Sequence, residues 1–153
     1  MAIETALWRM TTEGPQRLAA SSLDLERRLE DMLFADPSML GIELLILGRQ
    51  VPTSHGGFVD LVGIDGEGRV HILELKRDRT PRDVVAQVLD YGSWAQQLSL
   101  ADLQQIFRDN HDDADFDSAF ADFFASPLPE VVNAEQQYTR SEEHTSELQS
   151  PYV

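Results

Sequence analysis

Three charged residues interrupt two segments that are otherwise apolar. Asp60 lies within Phe58–Ile64, and Glu74 and Lys76 lie at the end of 69–76. Burying a charge costs free energy unless the charge is paired or binds a metal. Side chains alternate along a strand, so Glu74 and Lys76 point to one face. A neighbouring strand that carries Asp60 would add a second carboxylate, and we therefore predict a compact acidic pocket that contains one lysine.

The elements that position this pocket follow from turn residues and apolar spacing. Asp-Gly-Glu-Gly at 65–68 is typical of a tight turn, so the two apolar segments read as a β-hairpin. The spacing of Leu25, Leu29 and Leu33 predicts a helix that ends near Ala35, and 40–51 reads as the first core strand. Thr80-Pro81 is a helix start, and this helix is expected to run to about residue 98. This order predicts an α/β fold with a mixed central sheet flanked by helices.

The chain divides into four parts on these patterns. Residues 1–21 read as an N-terminal hairpin or lead-in, 22–100 as the core, and 101–139 as a helical extension. The extension contains a helix at 100–108 and a phenylalanine stripe at helical spacing, formed by Phe116, Phe120, Phe123 and Phe124.

The last part, 140–153, is expected to be foreign to the protein. Residues 140–150 read Arg-Ser-Glu-Glu-His-Thr-Ser-Glu-Leu-Gln-Ser. This is, in order, the translation of a common sequencing-adapter read. We therefore expect the native sequence to end near Thr139 with its true continuation missing, and we leave this tail out of the functional argument.

Asp60 followed by Glu74-Leu75-Lys76 resembles the signature of the PD-(D/E)XK nuclease superfamily, whose members share the restriction-endonuclease-like fold. The resemblance is closest to the NucS-like and RecB-like branch. That branch adds a glutamine and a tyrosine one helical turn apart in the next helix, which Gln87 and Tyr91 match.

The same branch places a glutamate on the helix before the sheet, and residues 25–29 resemble that segment. The family pattern favours Glu26. Glu26 and Glu30 are four residues apart and share a helix face, so residue types alone do not separate them. The resemblance covers about 23–98.

The resemblance implies an endonuclease that hydrolyses DNA with Mg²⁺ or Mn²⁺ as cofactor, in repair or in defence. Magnesium prefers carboxylate oxygens and keeps several waters. Asp60 and Glu74 are therefore the expected direct ligands, with the carbonyl of Leu75 as a third. Glu26 would hold a metal-bound water or a second cation. Lys76 would position or help to deprotonate the attacking water and stabilise developing negative charge.

In the same comparison Gln87 would orient groups in the pocket, and Tyr91 would brace the sheet or contact the phosphate. The DNA substrate could be single-stranded, branched or mismatched, and a homodimer is compatible with this family. Two other functions stay open: a noncatalytic nucleic-acid-binding or scaffold module that keeps the nuclease fold, and a nuclease for RNA.

The charge balance argues against nonspecific binding of polyanions. The chain has 27 acidic and 12 basic residues and a net charge of −15, whereas nucleic-acid surfaces usually carry basic patches. Bound divalent cations would offset part of this charge. Lys76 is followed by Arg77, Arg79 and Arg82, and these three arginines are candidate contacts to backbone phosphates.

The remaining composition narrows the class of protein. The chain has no cysteine, which excludes a disulfide framework and a thiolate metal site. Its longest apolar run, 44–47, is far too short to span a bilayer. No export signal is recognisable at the N-terminus, so we expect a cytoplasmic protein with no membrane partner.

Overall fold

The structure is a computed structural model that describes residues 8–17, 22–75 and 81–140. Within these ranges the elements, in chain order, are β1 (Trp8–Thr11), β2 (Gly14–Arg17), α1 (Ser22–Ala35), a 3₁₀ helix (Pro37–Leu40), β3 (Leu45–Pro52), β4 (Phe58–Ile64), β5 (Val70–Glu74), α2 (Pro81–Gln96), α3 (Leu100–Asn110), α4 (Phe116–Phe124) and β6 (Gln136–Arg140). None of the described helices is long and apolar enough to cross a membrane.

The central sheet has the strand order β3-β4-β5-β6. β3, β4 and β5 pair antiparallel in sequence, and β6 lies parallel to β5. β1 and β2 form a separate antiparallel hairpin. The helix α1, three antiparallel strands, three further helices and a parallel strand therefore follow one another along the described chain. The predicted α/β fold, with a mixed central sheet flanked by helices, is confirmed.

Two apolar layers cover the two faces of the sheet. In β5, Ile72 packs with residues of α2, α3 and α4, whereas Leu73 packs with Leu33 of α1. Successive strand residues point to opposite faces, so α1 lies on one face and the later helices lie on the other. Full burial of each such side chain stabilises the fold by about 1.5–3 kcal/mol. Near its C-terminal end, β5 is thus packed between helices on both faces of the sheet.

The strand β6 was not predicted, because 101–139 was read as a helical extension, with helices at 100–108 and along the phenylalanine stripe, and no strand was expected after them. Its sequence is Gln-Gln-Tyr-Thr-Arg, in which Tyr138 is the buried residue. A strand with so little apolar pattern gives a weak local signal. Its position is set by parallel pairing with β5, where Tyr138 lies opposite Ile72.

The first core strand also begins later than predicted, at Leu45 instead of residue 40. The Asp36 side chain accepts a hydrogen bond from the backbone N–H of Ser38 at 3.0 Å. Gly41 then adopts φ 75°, a left-handed conformation that suits glycine. This capped 3₁₀ turn takes Leu40 and Gly41, the first two residues that the apolar pattern assigned to the strand.

Side chains from the end of α3 cap the outer strand, β3. The backbone N–H of Arg49 donates to Asn110 Oδ1 at 3.2 Å, and the His111 Nε2 lies 2.8 Å from the carbonyl oxygen of Ile46. Gly48 allows this close approach, because a Cβ there would lie 2.6 Å from Asn110 Nδ2. The helix α3 therefore fixes the backbone of β3 next to Arg49.

The β4–β5 turn is organised by the carboxylate of Asp65. It accepts hydrogen bonds from the backbone N–H groups of Glu67 and Arg69 and from Arg69 Nε, and it lies 2.8 Å from His71 Nε2. Burial raises the pKa of Asp65, but the hydrogen bonds from His71, Arg69 and Glu67 lower it by more. The net pKa lies below the usual range, and His71 serves this turn.

Candidate active site

The backbone ladder between β4 and β5 ends where the charged residues begin. Leu61 and Leu73 form its last pair, and Asp60 and Glu74 each lie one residue beyond it. There the Asp60 Oδ2 accepts a hydrogen bond from the backbone N–H of Leu75 at 2.8 Å. Asp60 is 2% exposed and Glu74 is 1% exposed. The structure thus places the Asp60 carboxylate directly on the middle residue of Glu74-Leu75-Lys76.

Asp60 opens onto a cavity of about 430 Å³ between α1 and the sheet, which we call the acidic cavity. It is lined by Glu26, Arg27, Glu30, Asp31, Arg49, Gln50, Asp60 and Leu75. Three residues of the predicted metal set, Glu26, Asp60 and Leu75, therefore share one cavity. Glu74, the other carboxylate of that set, does not line this cavity and is buried at the end of β5.

A glutamine connects the carboxylates of α1 and β4. The Gln50 Nε2 donates to Glu30 Oε2 at 2.8 Å and to Asp60 Oδ1 at 3.0 Å. Arg49 Nε donates to Glu30 Oε1 at 2.8 Å, and the Arg49 guanidinium also pairs with Asp31. The hydrogen bond to Asp31 is the main reason that the pKa of Arg49 is raised. Glu30 is therefore the α1 acid that Gln50 joins to Asp60, while Glu26 lines the same cavity one helical turn earlier.

The donor set has the chemistry of a site for a hard cation. Asp60, Glu74 and the carbonyl of Leu75 all offer oxygen. Among the residues that the structure describes, no group of three or more His, Cys, Asp or Glu side chains is arranged to hold a metal ion. Mg²⁺ does not require such a cage, because it usually binds through one or two carboxylates and keeps several waters. The residues present fit a cation of this kind.

Gln87 and Tyr91 lie on the other helical layer and do not border the acidic cavity. The Tyr138 hydroxyl donates to Gln87 Oε1 at 3.1 Å, the Gln87 Nε2 donates to the Tyr91 hydroxyl at 3.2 Å, and that hydroxyl donates to the carbonyl oxygen of Phe58 at 2.7 Å. This chain of hydrogen bonds ties α2 to the start of β4 and to β6. Of the two roles expected for Tyr91, the contacts support the brace.

Gln87 and Tyr91 do border a second, smaller cavity of about 240 Å³. Its walls come from the β3–β4 loop and one side of α2, namely Thr53, His55, Gly57, Asp83, Ala86, Gln87, Asp90 and Tyr91. Gln87 was expected to orient groups in the predicted acidic pocket, but the structure places it at this second cavity and away from the acidic cavity.

The basic residues next to the predicted pocket are only partly described. Lys76, Arg77 and Arg79 lie outside the described residues. Arg82 lies exposed in the first turn of α2.

A family model decides what the chain is related to. The model of the endonuclease NucS C-terminal domain matches residues 25–108, which is more than half of the chain. The chain belongs to this family. The NucS match begins in α1 and ends within α3, so it includes Glu26, Asp60, the Glu74-Leu75-Lys76 segment, Gln87 and Tyr91.

Individual relatives agree with the NucS assignment but are much longer. Endonuclease NucS of Pyrococcus furiosus is 33% identical over 66 residues, which are 43% of this chain and 24% of that protein. The chain therefore spans about a quarter of the length of this relative.

Two solved structures are also similar. One is an EndoMS–dsDNA2 complex, with 24% identity, TM-score 0.38, and coverage of 61% of this chain and 33% of that one. The other is a repair endonuclease from Pyrococcus abyssi, with 20% identity, TM-score 0.37, and coverage of 64% and 39%.

Two residues of the NucS-like site escaped the sequence prediction, namely Arg49 and Gln50. They are polar residues that interrupt the apolar strand β3, as Asp60 interrupts β4. The β3–β4 register places Gln50 between the pairs Arg49–Leu61 and Val51–Val59, and therefore opposite Asp60. The signal in the sequence was this polar pair within an apolar strand, but it does not indicate that Gln50 contacts both Glu30 and Asp60.

Proposed function

We propose that this NucS-family domain is a metal-dependent endonuclease that hydrolyses phosphodiester bonds in DNA. One observation carries the proposal. The buried carboxylate of Asp60 accepts the backbone N–H of Leu75, inside Glu74-Leu75-Lys76, at the wall of an open cavity. Membership in an endonuclease family supports the same reaction.

Asp60 and Glu74 are the residues that would hold Mg²⁺ or Mn²⁺, together with the carbonyl of Leu75. Both residues are buried, and each lies one position beyond Leu61–Leu73, the last pair of the β4–β5 ladder. Glu26 or Glu30 would hold a water of the cation from the α1 side of the cavity. When bound, the cation supplies charge neutralisation at the phosphate and acidifies a coordinated water.

The other residues of the chain orient the reactants. Lys76 positions the attacking water and places a positive charge near the developing negative charge. Arg82, with Arg77 and Arg79, binds backbone phosphates of the DNA. The hydrogen-bonded chain from Tyr138 through Gln87 and Tyr91 to Phe58 keeps α2 fixed against the sheet.

The test is cleavage of end-labelled DNA during titration with Mg²⁺ or Mn²⁺, with the parent, Asp60→Ala and Lys76→Ala proteins purified identically. We expect Lys76→Ala to lose about 10²–10⁴-fold in rate, the range for removal of a group that assists proton transfer. We expect Asp60→Ala to lose cleavage as well, because it removes a carboxylate that would hold the cation. Asp122→Ala, at an exposed acid of α4, is the matched control and should cleave as the parent does. Equal cleavage by all proteins would reveal a contaminating nuclease and end the proposal.

The substrate is resolved by competition. Unlabelled duplex, single-stranded, branched and mismatched DNA, and RNA of the same sequence, are added to the labelled reaction. We expect a DNA form to compete best. Stronger competition by RNA, with cleavage of that RNA, would reassign the activity to ribonuclease.

A further inference from the structure

Gln50 has a backbone conformation that its residue type does not favour. Its φ is 47°, in the left-handed region, where a side chain with a Cβ is strained. The residue is also exposed, so burial of its side chain does not offset this strain. A left-handed, exposed glutamine in a core strand is therefore held there for another contact.

The contact is made by the side-chain amide. Its two N–H groups are directed at two different carboxylates, Glu30 Oε2 at 2.8 Å and Asp60 Oδ1 at 3.0 Å. Hydrogen bonds to ionised carboxylates are short and strong. Two carboxylates on one cavity repel each other, and a donor that bridges them fixes their separation.

The surrounding structure keeps Gln50 in this conformation from both sides. On the preceding residue, the N–H of Arg49 donates to Asn110 Oδ1, and Gly48 lets α3 come close enough for that bond. On the C-terminal side, the Val51 side chain is buried in the apolar layer that includes residues of α2, α3 and α4. The strand pairs Arg49–Leu61 and Val51–Val59 enclose the Gln50 position in the sheet.

We propose that Gln50 is a positioning residue that sets the separation of Asp60 and Glu30 for a divalent cation, and that Asn110 acts through it by holding the backbone of Arg49. This inference rests on the proposed function for the use of the cation. The arrangement of the two carboxylates can be measured without any cation. Removal of a side chain that hydrogen-bonds to metal-ligating groups typically weakens metal affinity by about 10–100-fold.

The first experiment measures Mn²⁺ affinity by calorimetry in the full chain. Gln50→Leu keeps the size of the side chain and removes both donors. Gln50→Gly removes the side chain and relieves the left-handed backbone. We expect both variants to bind Mn²⁺ about tenfold or more weakly than the parent. Gln104→Leu is the matched control, because Gln104 donates to the carboxylate of Asp117 between α3 and α4, and its Mn²⁺ affinity should equal that of the parent.

Parent-like Mn²⁺ affinity in both Gln50 variants would overturn the inference. If the Gln50→Leu protein fails to fold, the affinity of the Gln50→Gly protein decides, since glycine adopts φ 47° without strain.

The second experiment is a pair of metal-free crystal structures, of the parent and of Gln50→Leu. We expect the Asp60 and Glu30 carboxylates to move apart when the bridging donor is lost, and unchanged positions would overturn the inference. A parent that binds no Mn²⁺ would defeat the proposed function instead, and this metal-free comparison would still decide the role of Gln50.

The role of Asn110 is tested by a double-mutant cycle on the same affinity. Asn110→Ala removes the acceptor of the Arg49 N–H and should weaken Mn²⁺ binding in the parent background. It should have no further effect when combined with Gln50→Leu, because both act on one contact. Additive losses would show that Asn110 does not act through Gln50.

Discussion

Asp65 shows how one carboxylate can hold a turn together. It accepts two backbone N–H groups and the Arg69 Nε, and it contacts the buried His71. Its folded pKa lies below the ordinary value of 3.8. The ionised group therefore contributes stability above about pH 3.8, and this contribution is lost as the pH falls through the folded pKa.

We predict that Asp65→Asn lowers the free energy of unfolding by about 1–3 kcal/mol at pH 6. The reason is that the amide of asparagine offers no charged acceptor to the hydrogen bonds of the turn. The difference from the parent should shrink at pH 3, because this pH lies below the ordinary pKa of 3.8 and the parent has lost part of the same contribution there. Urea unfolding at the two pH values measures both differences. Asp122→Asn should match the parent at both. A loss that is equally large at pH 3 would show that ionisation of Asp65 is not responsible.

At the same scale, the sequence identified some site residues and left others undecided. Asp60 and Glu74 were recognisable because a charge in an apolar strand needs a partner, and both are buried. The choice between Glu26 and Glu30 was not accessible, because both lie on one helix face. That choice depends on Gln50, whose side-chain contacts follow from a left-handed backbone that no local pattern predicts.

The close contact between α3 and β3 requires that residue 48 is a glycine, which has no side chain. A Cβ at Gly48 would lie 2.6 Å from Asn110 Nδ2 and 2.9 Å from Ile106 Cγ2. We predict that Gly48→Ala lowers the free energy of unfolding by about 1–3 kcal/mol, the usual effect of overpacking. Thermal or urea unfolding measures it.

Gly92 provides the matched control for this substitution. It lies within α2, and a Cβ there would meet no heavy atom within 4 Å. Gly92→Ala should therefore raise the free energy of unfolding by about 0.5–1 kcal/mol, since alanine favours the helix. Equal effects at the two glycines would mean that α3 is not held against β3 as described.

The hydrogen bonds that hold α2 against the sheet give a second prediction about how the helices and strands are held together. Tyr91→Phe removes the hydroxyl that donates to the carbonyl of Phe58 and accepts from Gln87. We expect a loss of about 1 kcal/mol in the free energy of unfolding and a cleavage rate within a few-fold of the parent. Tyr138→Phe, at the other end of the same chain of hydrogen bonds, should behave alike. A large loss of rate with unchanged stability would instead indicate that Tyr91 contacts the substrate.

The elements differ in how clearly the sequence indicates them. α1, β4, β5 and α2 combine strong apolar periodicity with caps or turn residues, and their predicted positions agree with the structure to within a few residues. β6 has one buried residue, Tyr138. It pairs with β5, from which three helices separate it along the chain. A strand whose position depends on such distant pairing cannot be derived from its own pattern.

The net charge of −15 opposes binding of the proposed substrate, DNA, which is itself a polyanion. Long-range repulsion lowers affinity unless cations neutralise the acidic site. We predict that DNA binding by the Lys76→Ala protein, which should cleave slowly, weakens at least about tenfold when Mg²⁺ is replaced by EDTA. Fluorescence anisotropy at constant ionic strength measures this. Equal affinity with and without Mg²⁺ would show that binding does not involve the cation site.

The cap on β3 has a consequence for behaviour at high concentration. The outer strand of a sheet is a template for the backbone of another molecule, and such templates start aggregation. Here Asn110 and His111 occupy the Arg49 N–H and the Ile46 carbonyl, two of the groups that a foreign strand would use. The end of a single helix thereby protects the flank of the sheet next to the acidic cavity from fibril-like stacking.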